Sequence, residues 1–155
     1  MARVALDGMG GDFAPAAPVA GALLALNELD REHRVQLIGR VALLHDQLRA
    51  PLGGEFAPLA AVADRLDIID AADVIDMADR PSAALRGKPN SSMHVGLRLQ
   101  AQGGSDAFVS AGNTGAQMAI STVVLRLHQG VARPAIATVF PTALQPIVVV
   151  DSGAN

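Results

Sequence analysis

Along the chain the spacing of apolar and polar positions changes repeatedly between short continuous runs and longer helical stretches. "RVALD" (Arg3 to Asp7) is a short apolar run that predicts a buried strand. The glycine-rich "GMGGDFAP" follows. The Ala-rich "PAAPVAGALLALNELD" then predicts a helix from about Pro15 to Asp30, with Pro15 tolerated in its first turn. "RVQLIG" (Arg34 to Gly39) predicts a second strand and "RVALLHDQLRA" a helix stopped near Pro51. "RLDIIDA" (Arg65 to Ala71) predicts a third strand, with a helical turn after it. "SSMHVGLRLQAQGG" reads as a helix capped by Ser91 or Ser92 and closed by Gly103 and Gly104. "DAFVS" (Asp106 to Ser110) predicts a fourth strand, and the helix after it runs to about Gln129. "AIATVF" and "PIVVVD" read as strands five and six.

Strands separated by helices imply right-handed parallel crossovers and a sheet covered on both faces. The expected fold class is therefore α/β, a doubly wound, mostly parallel sheet in three α/β/α layers. No internal repeat or low-complexity tract interrupts it. At 155 residues the chain is one domain's worth, and a chain of that size buries roughly 68–70% of the surface its unfolded form exposes. Only four residues are aromatic, all Phe, so the core must be built from Ala, Val, Leu and Ile.

Charge and cysteine content narrow the function classes. A net charge of −3 without a Lys/Arg cluster gives no electrostatic footprint for nucleic acid and no polybasic anchor for anionic lipid. The absence of cysteine removes thiolate nucleophiles and Cys-ligated metals, and makes a cytosolic setting the simplest expectation. The N-terminus resembles neither a signal nor a transit peptide. No uncharged apolar run reaches the length of about 20 residues a membrane span requires.

Three segments share one layout, an apolar strand followed by small residues: "VALDGMGGD", "AFVSAGNTGA" and "VVVDSGAN". In open α/β sheets ligands bind beyond the carboxyl ends of the strands, so these segments are expected to converge on one pocket. Glycine lets backbone N–H groups approach a ligand, and a following helix adds unpaired N–H groups that favour an anion such as phosphate. In "SAGNTG" the hydroxyls of Ser110 and Thr114 and the amide of Asn113 are further donors beside Gly112 and Gly115. The plainer alternative, of equal weight on spacing alone, is that Asn113 or Thr114 caps the helix and the glycines make a tight turn.

In the first loop, Gly10 and Gly11 are flanked by Asp7 and Asp12. "GMGGD" matches neither the Rossmann nor the P-loop fingerprint. Asp12 either positions a substrate or caps the helix that starts near Pro15. The one lysine, Lys88, sits in "ALRGKPNSSMH" near Arg86, Ser91, Ser92 and His94. A cation pair ahead of a helix start with two hydroxyls suits an anion clamp, whereas a solvated loop with a Ser cap is the plainer reading. Asp64, Asp67, Asp70, Asp73, Asp76 and Asp79 recur every third residue. That spacing rotates around any helix it enters and predicts a solvated acidic edge rather than a metal site. Met9, Met77, Met93 and Met118 are expected in the core or lining a pocket.

Together "DGMGGDFAP", "DVIDMADRPSAALRGKPNSSM", "AFVSAGNTGAQMA", "RPAIATVFP" and "VVVDSGAN" resemble, in order and rough spacing, the bacterial PlsX-type phosphate acyltransferases over the whole chain. Gly8 stands where that family usually has Ala, and "RGKPN" is less basic than the usual run. Family members are about twice as long, so the resemblance is to an N-terminal half, incomplete at the C-terminus, with the second lobe absent.

The resemblance implies a fold like that of the phosphotransacetylases and the isocitrate-dehydrogenase-like enzymes. It also implies attack of inorganic phosphate on the thioester of an acyl carrier protein adduct, giving acyl phosphate for phospholipid synthesis. A cytoplasmic homodimer with no metal or nucleotide cofactor follows from the same resemblance, as does peripheral membrane contact through the missing half. On this view Ser110, Asn113 and Lys88 are catalytic. Gly112, Thr114, Gly115, Gly10, Gly11, Arg86, Ser91 and Ser92 contribute to substrate binding, and Asp7, Asp12, Asp151 and Asn155 line the crevice. Two other readings stay open: a phosphotransacetylase-like enzyme acting on acyl-CoA, and a non-catalytic half-domain that dimerises or binds acyl carrier protein.

Overall fold

A computed structural model describes residues 1–52 and 57–151. These fall into two compact units, Met1–Leu125 and the segment from Arg126 onward. The first unit contains β1 (Arg3–Asp7), α1 (Ala16–Glu28), β2 (Arg34–Gly39), α2 (Val41–Leu52), a 3-10 helix over Ala57–Arg65, β3 (Leu66–Asp70), α3 (Pro81–Gly87), α4 (Ser92–Ala101), β4 (Ala107–Val109) and α5 (Thr114–Val124). Its four strands form a parallel sheet in the order β3-β2-β1-β4. Leu6 of β1 lies in register with Leu37 of β2 on one side and Val109 of β4 on the other.

That order fixes where a site can be. The chain steps from β1 out to β3, then crosses back to place β4 on the opposite side of β1. The succession reverses between β1 and β4, and in doubly wound sheets the crevice beyond the carboxyl ends of the strands opens at such a point. Strand alternation sends Leu37, Leu66 and Ile68 to one face, where they pack with Val19 and Leu44 of α1 and α2. Ala5 and Ile38 go to the other, against Val95 of α4. Phe108 of β4 joins the cluster of Met93, Leu97, Ala116 and Ile120 formed with α4 and α5. Helices thus cover both faces, as in the expected three-layer class, with an almost entirely aliphatic core.

Four expectations are corrected. Strands five and six do not extend the parallel sheet: β5 (Ala137–Phe140) and β6 (Ile147–Val150) pair antiparallel as a separate two-stranded ribbon in the second unit. Only a short loop joins them, and a parallel pairing needs a long crossover. The helix after "SAGNTGA" ends at Val124 rather than Gln129, because Arg126 takes a left-handed φ of 66° that leaves the helical ladder. The chain directly after β3 is not helical. Asp73 instead forms a parallel bridge to Ser91, its N–H donating to the Asn90 carbonyl at 3.2 Å while its carboxylate accepts from the Asn90 N–H at 3.1 Å. Those bonds hold the chain extended at Asp73, a turn closed by the Asp79 N–H on the Asp76 carbonyl at 3.1 Å follows, and Pro81 then opens α3 at its first turn. Met77, finally, is 55% exposed and lies outside the core.

Candidate functional site

The loops after β1 and β4 are knitted together through one buried carboxylate. Asp7, 2% exposed at the end of β1, accepts the Met9 N–H on Oδ1 at 3.0 Å and the Ser110 hydroxyl on Oδ2 at 2.7 Å. The Ser110 oxygen in turn accepts the Gly112 N–H at 3.0 Å. Burial of a carboxylate demands such partners, and only small residues let the loops come this close. A Cβ on Gly10 would stand 2.4 Å from Asp7 Oδ2 and 2.9 Å from Ser110 Oγ. One on Gly112 would stand 3.2 Å from the Gly10 Cα. Gly11 beside them has φ of 104°, which a side chain disfavours.

Asn113 is the N-cap of α5, its Oδ1 accepting the Ala116 N–H at 2.9 Å. The two amides ahead of that one, of Thr114 and Gly115, have no acceptor within the helix. The other end of the Asn113 amide is equally committed. Its Nδ2 donates to the carbonyls of Asp76, Met77 and Asp79 at 3.2, 3.2 and 2.9 Å. Asn113 therefore clamps the Asp76–Asp79 turn onto the start of α5, a positioning geometry.

Lys88 closes on the same turn. Its Nζ donates to Asp79 Oδ2 and, at 3.2 Å, to Asp76 Oδ2, and Asp79 Oδ2 also accepts the Asp76 N–H at 2.9 Å. The hydrogen bond to Asp79 raises the Lys88 pKa, against a smaller opposing effect of burial, and the Lys88 bond lowers that of Asp79. Lys88 is thus a fixed positive charge, unsuited to act as a base at neutral pH. Asp76 and Asp79 pair with Lys88 and Asp73 with the Asn90 N–H, so these carboxylates are structural as well as solvated, while Asp64, Asp70 and Asp76 lie exposed as expected. Among the described residues no group of His, Asp or Glu is arranged to hold a metal ion.

The remaining predicted residues divide. Ser91 caps α4 and pairs its hydroxyl with His94 Nδ1 at 2.9 Å, both groups buried. Burial, then the charge of Arg98, lowers the His94 pKa, so the ring is neutral at physiological pH. Ser92 is buried beside it. Arg86 does not join Lys88 in a clamp. It is exposed, and its Nε donates to the Ser82 carbonyl at 3.4 Å within its own helix, because one turn of α3 separates those residues. Asp12 does not cap α1, whose N-cap is Pro15 with no side-chain bond, since Asp12 lies too far ahead of the first turn. Asp151 belongs to the second unit, where its carboxylate accepts the Ile136 N–H at 3.4 Å. Asn155 lies outside the described residues.

Two cavities flank the knit. One, of about 310 Å³, is bounded by Leu6, Phe13, Ala14, Ala17, Pro18 and Val109, with Asp7, Asp12 and Ser110 at its polar side. The other, of about 520 Å³, is lined by Met9, Arg40, Asp73, Val74, Asp76 and Lys88. Arg40, whose Nε donates to the Ala72 carbonyl at 3.0 Å, escaped the sequence reading. Its position directly behind β2, at the same sheet end as Asp7 and Ser110, is the signal that would have found it.

A family model described as fatty acid synthesis protein matches residues 2–155. The chain belongs to the fatty acid synthesis protein family. Phosphate acyltransferases from Salinibacter ruber, Stutzerimonas stutzeri and Koribacter versatilis are 46%, 43% and 44% identical to it over 153, 152 and 153 residues. Those alignments cover 98–99% of this chain but only 40–43% of each relative. The chain thus spans about two fifths of the length of these relatives. The resemblance carried by "DGMGGDFAP", "SAGNTGA" and "VVVDSGAN" is confirmed by this match across its whole extent.

Proposed function

We propose that the protein transfers a fatty acyl group from the thioester of an acyl carrier protein to inorganic phosphate. A phosphate oxygen attacks the thioester carbonyl carbon, a C–O bond forms as the C–S bond breaks, and the carrier thiol leaves with a proton. A thioester is already activated, so the work is to hold phosphate in line and to stabilise the developing oxyanion.

The observation that carries this reading is the placement of the unpaired Thr114 and Gly115 amides at the start of α5, beside the Ser110–Asp7 pair and the Lys88 network. Backbone donors at a helix start favour an anion. Asp7 holds Ser110, Ser110 holds Gly112, and Asn113 fixes the turn whose carboxylates hold Lys88. In this assignment Thr114, Gly115 and Ser110 face phosphate or the oxyanion. Lys88, already paired with Asp76 and Asp79, is with Asp7 and Asn113 a positioning residue. The names of the relatives, phosphate acyltransferases, support the reaction type.

The test is phosphate-dependent formation of acyl phosphate by the complete protein, trapped as its hydroxamate. Lys88→Ala and Asn113→Ala should each lower the rate on the order of a hundredfold, the effect of displacing a reacting group by about 1 Å. Wild-type rates in both would remove the assignment. Turnover on carrier and CoA thioesters of the same acyl group separates this reading from the acyl-CoA alternative, since a carrier protein offers a docking surface and CoA a nucleotide.

A further inference from the structure

We infer that the cavity between β1, α1 and β4 receives the hydrocarbon chain of the acyl group, and that Phe13 and Ala17 set which chain lengths fit. The inference rests on the acyl-transfer reading above. It adds a location for the tail, which that reading leaves open.

The cavity has the polarity of an amphiphile. Its apolar lining is Leu6, Phe13, Ala17, Pro18 and Val109, and its polar lining Ser110, Asp7 and Asp12. Phe13 is 79% exposed and Val109 49% exposed. Two large apolar side chains thus meet solvent at the mouth of a crevice whose polar edge is the site itself. Contiguous apolar surface of this kind marks a binding groove. The polar edge is made by Ser110, the residue placed at the reacting carbonyl, so an acyl group whose carbonyl sits there can run its chain along the apolar walls. The other cavity has four charged side chains, Arg40, Asp73, Asp76 and Lys88, among six lining residues, against two carboxylates among twelve here, so a methylene chain there would cost more desolvation.

The wall is also adjustable. Ala17 lies in the first turn of α1 and lines the cavity with a single methyl group. Enlarging it fills volume where chain methylenes would lie, and removing the Phe13 ring opens the mouth.

The experiment has two arms, both on the complete protein. In the first, kcat/KM is measured for a series of thioesters from short to long acyl chains. The ratio of long-chain to short-chain kcat/KM should fall roughly tenfold or more in Ala17→Phe, given that one misfitted methylene alters discrimination by that order. Phe13→Ala should shift the ratio as well. In the second, a fatty acyl pantetheine thioester bearing a diazirine on its chain is photolysed with wild-type protein and the labelled peptide identified. Labelling within residues 13–18 or at Val109 supports the inference. Labelling elsewhere, or an unchanged chain-length ratio in a folded Ala17→Phe protein, overturns it in favour of a cavity covered by other protein. The arms keep the two proposals apart. Label at residues 13–18 without any acyl phosphate formation would sink the reaction and keep the tail site, whereas acyl phosphate formation with label elsewhere would do the reverse.

Discussion

The Asp7–Ser110 knit and the Asp76–Lys88–Asn113 turn hold neighbouring parts of one site by different means. The first is short-range and buried: a carboxylate, one hydroxyl and two amides, with glycines where a Cβ would collide. The second is charged and partly exposed, and it gathers residues from three places in the chain around one turn. Steric fit admits no intermediate, while charge pairs are screened by solvent and salt. The first region is therefore expected to fail abruptly and the second by degrees.

The sharpest way to break the contrast is Gly10→Ala. The new methyl collides with Asp7 and Ser110, and overpacking of this kind costs about 1–3 kcal/mol. Stability by urea unfolding should fall toward the upper end of that range, whatever the salt concentration. A loss that disappears in high salt would mean the knit is electrostatic after all.

Next comes Asn113→Ala. It removes a helix cap, worth about 1 kcal/mol, and takes the Asn113 donor from three carbonyls, of which only that of Asp76 keeps another, the Asp79 N–H. A total near 2 kcal/mol is expected, each lost bond adding on the order of 0.5–1.5 kcal/mol where water cannot substitute. Asn113→Asp is the sharpening variant. It keeps the cap oxygen and sets a second oxygen against the same carbonyls, so it should recover only part of the loss. Full recovery would assign all the effect to the cap.

Lys88→Met should destabilise less than either, and the deficit should shrink between low and high ionic strength, because the pair with Asp76 and Asp79 is open to solvent. The smallest effect is on pH dependence. His94 has a depressed pKa in the folded protein, so the unfolded chain binds the proton first as pH falls. Its contribution is complete above the ordinary imidazole value of about 6.5 and declines as pH drops below it. The urea midpoint should therefore fall as pH drops below about 6.5, and His94→Gln should flatten that slope. An equal slope in both would assign it to other groups.

Much of the fold was legible because apolar runs and glycine-flanked helices give the period directly. β1 and β2 fall where "RVALD" and "RVQLIG" place them, and Ser91 caps α4 as its position suggested. The ribbon was not legible, since an apolar run such as "PIVVVD" says a strand exists and nothing about its partner or direction. Ser110, Asp7 and the glycines could be grouped because they follow strands at one end of the sheet. The role of Asp76 and Asp79 could not. A three-residue repeat of Asp carries no information about an extended segment bridged to Ser91, and it is that bridge which delivers both carboxylates to Lys88.

A side chain on Gly10 would meet the carboxylate of Asp7 and the hydroxyl of Ser110, whereas one on Gly112 would first meet the flexible end of Met93 and only then the Gly10 backbone. The two glycines are therefore unequal sites of variation. A library randomised at both positions should return glycine almost always at 10, and small residues as well as glycine at 112.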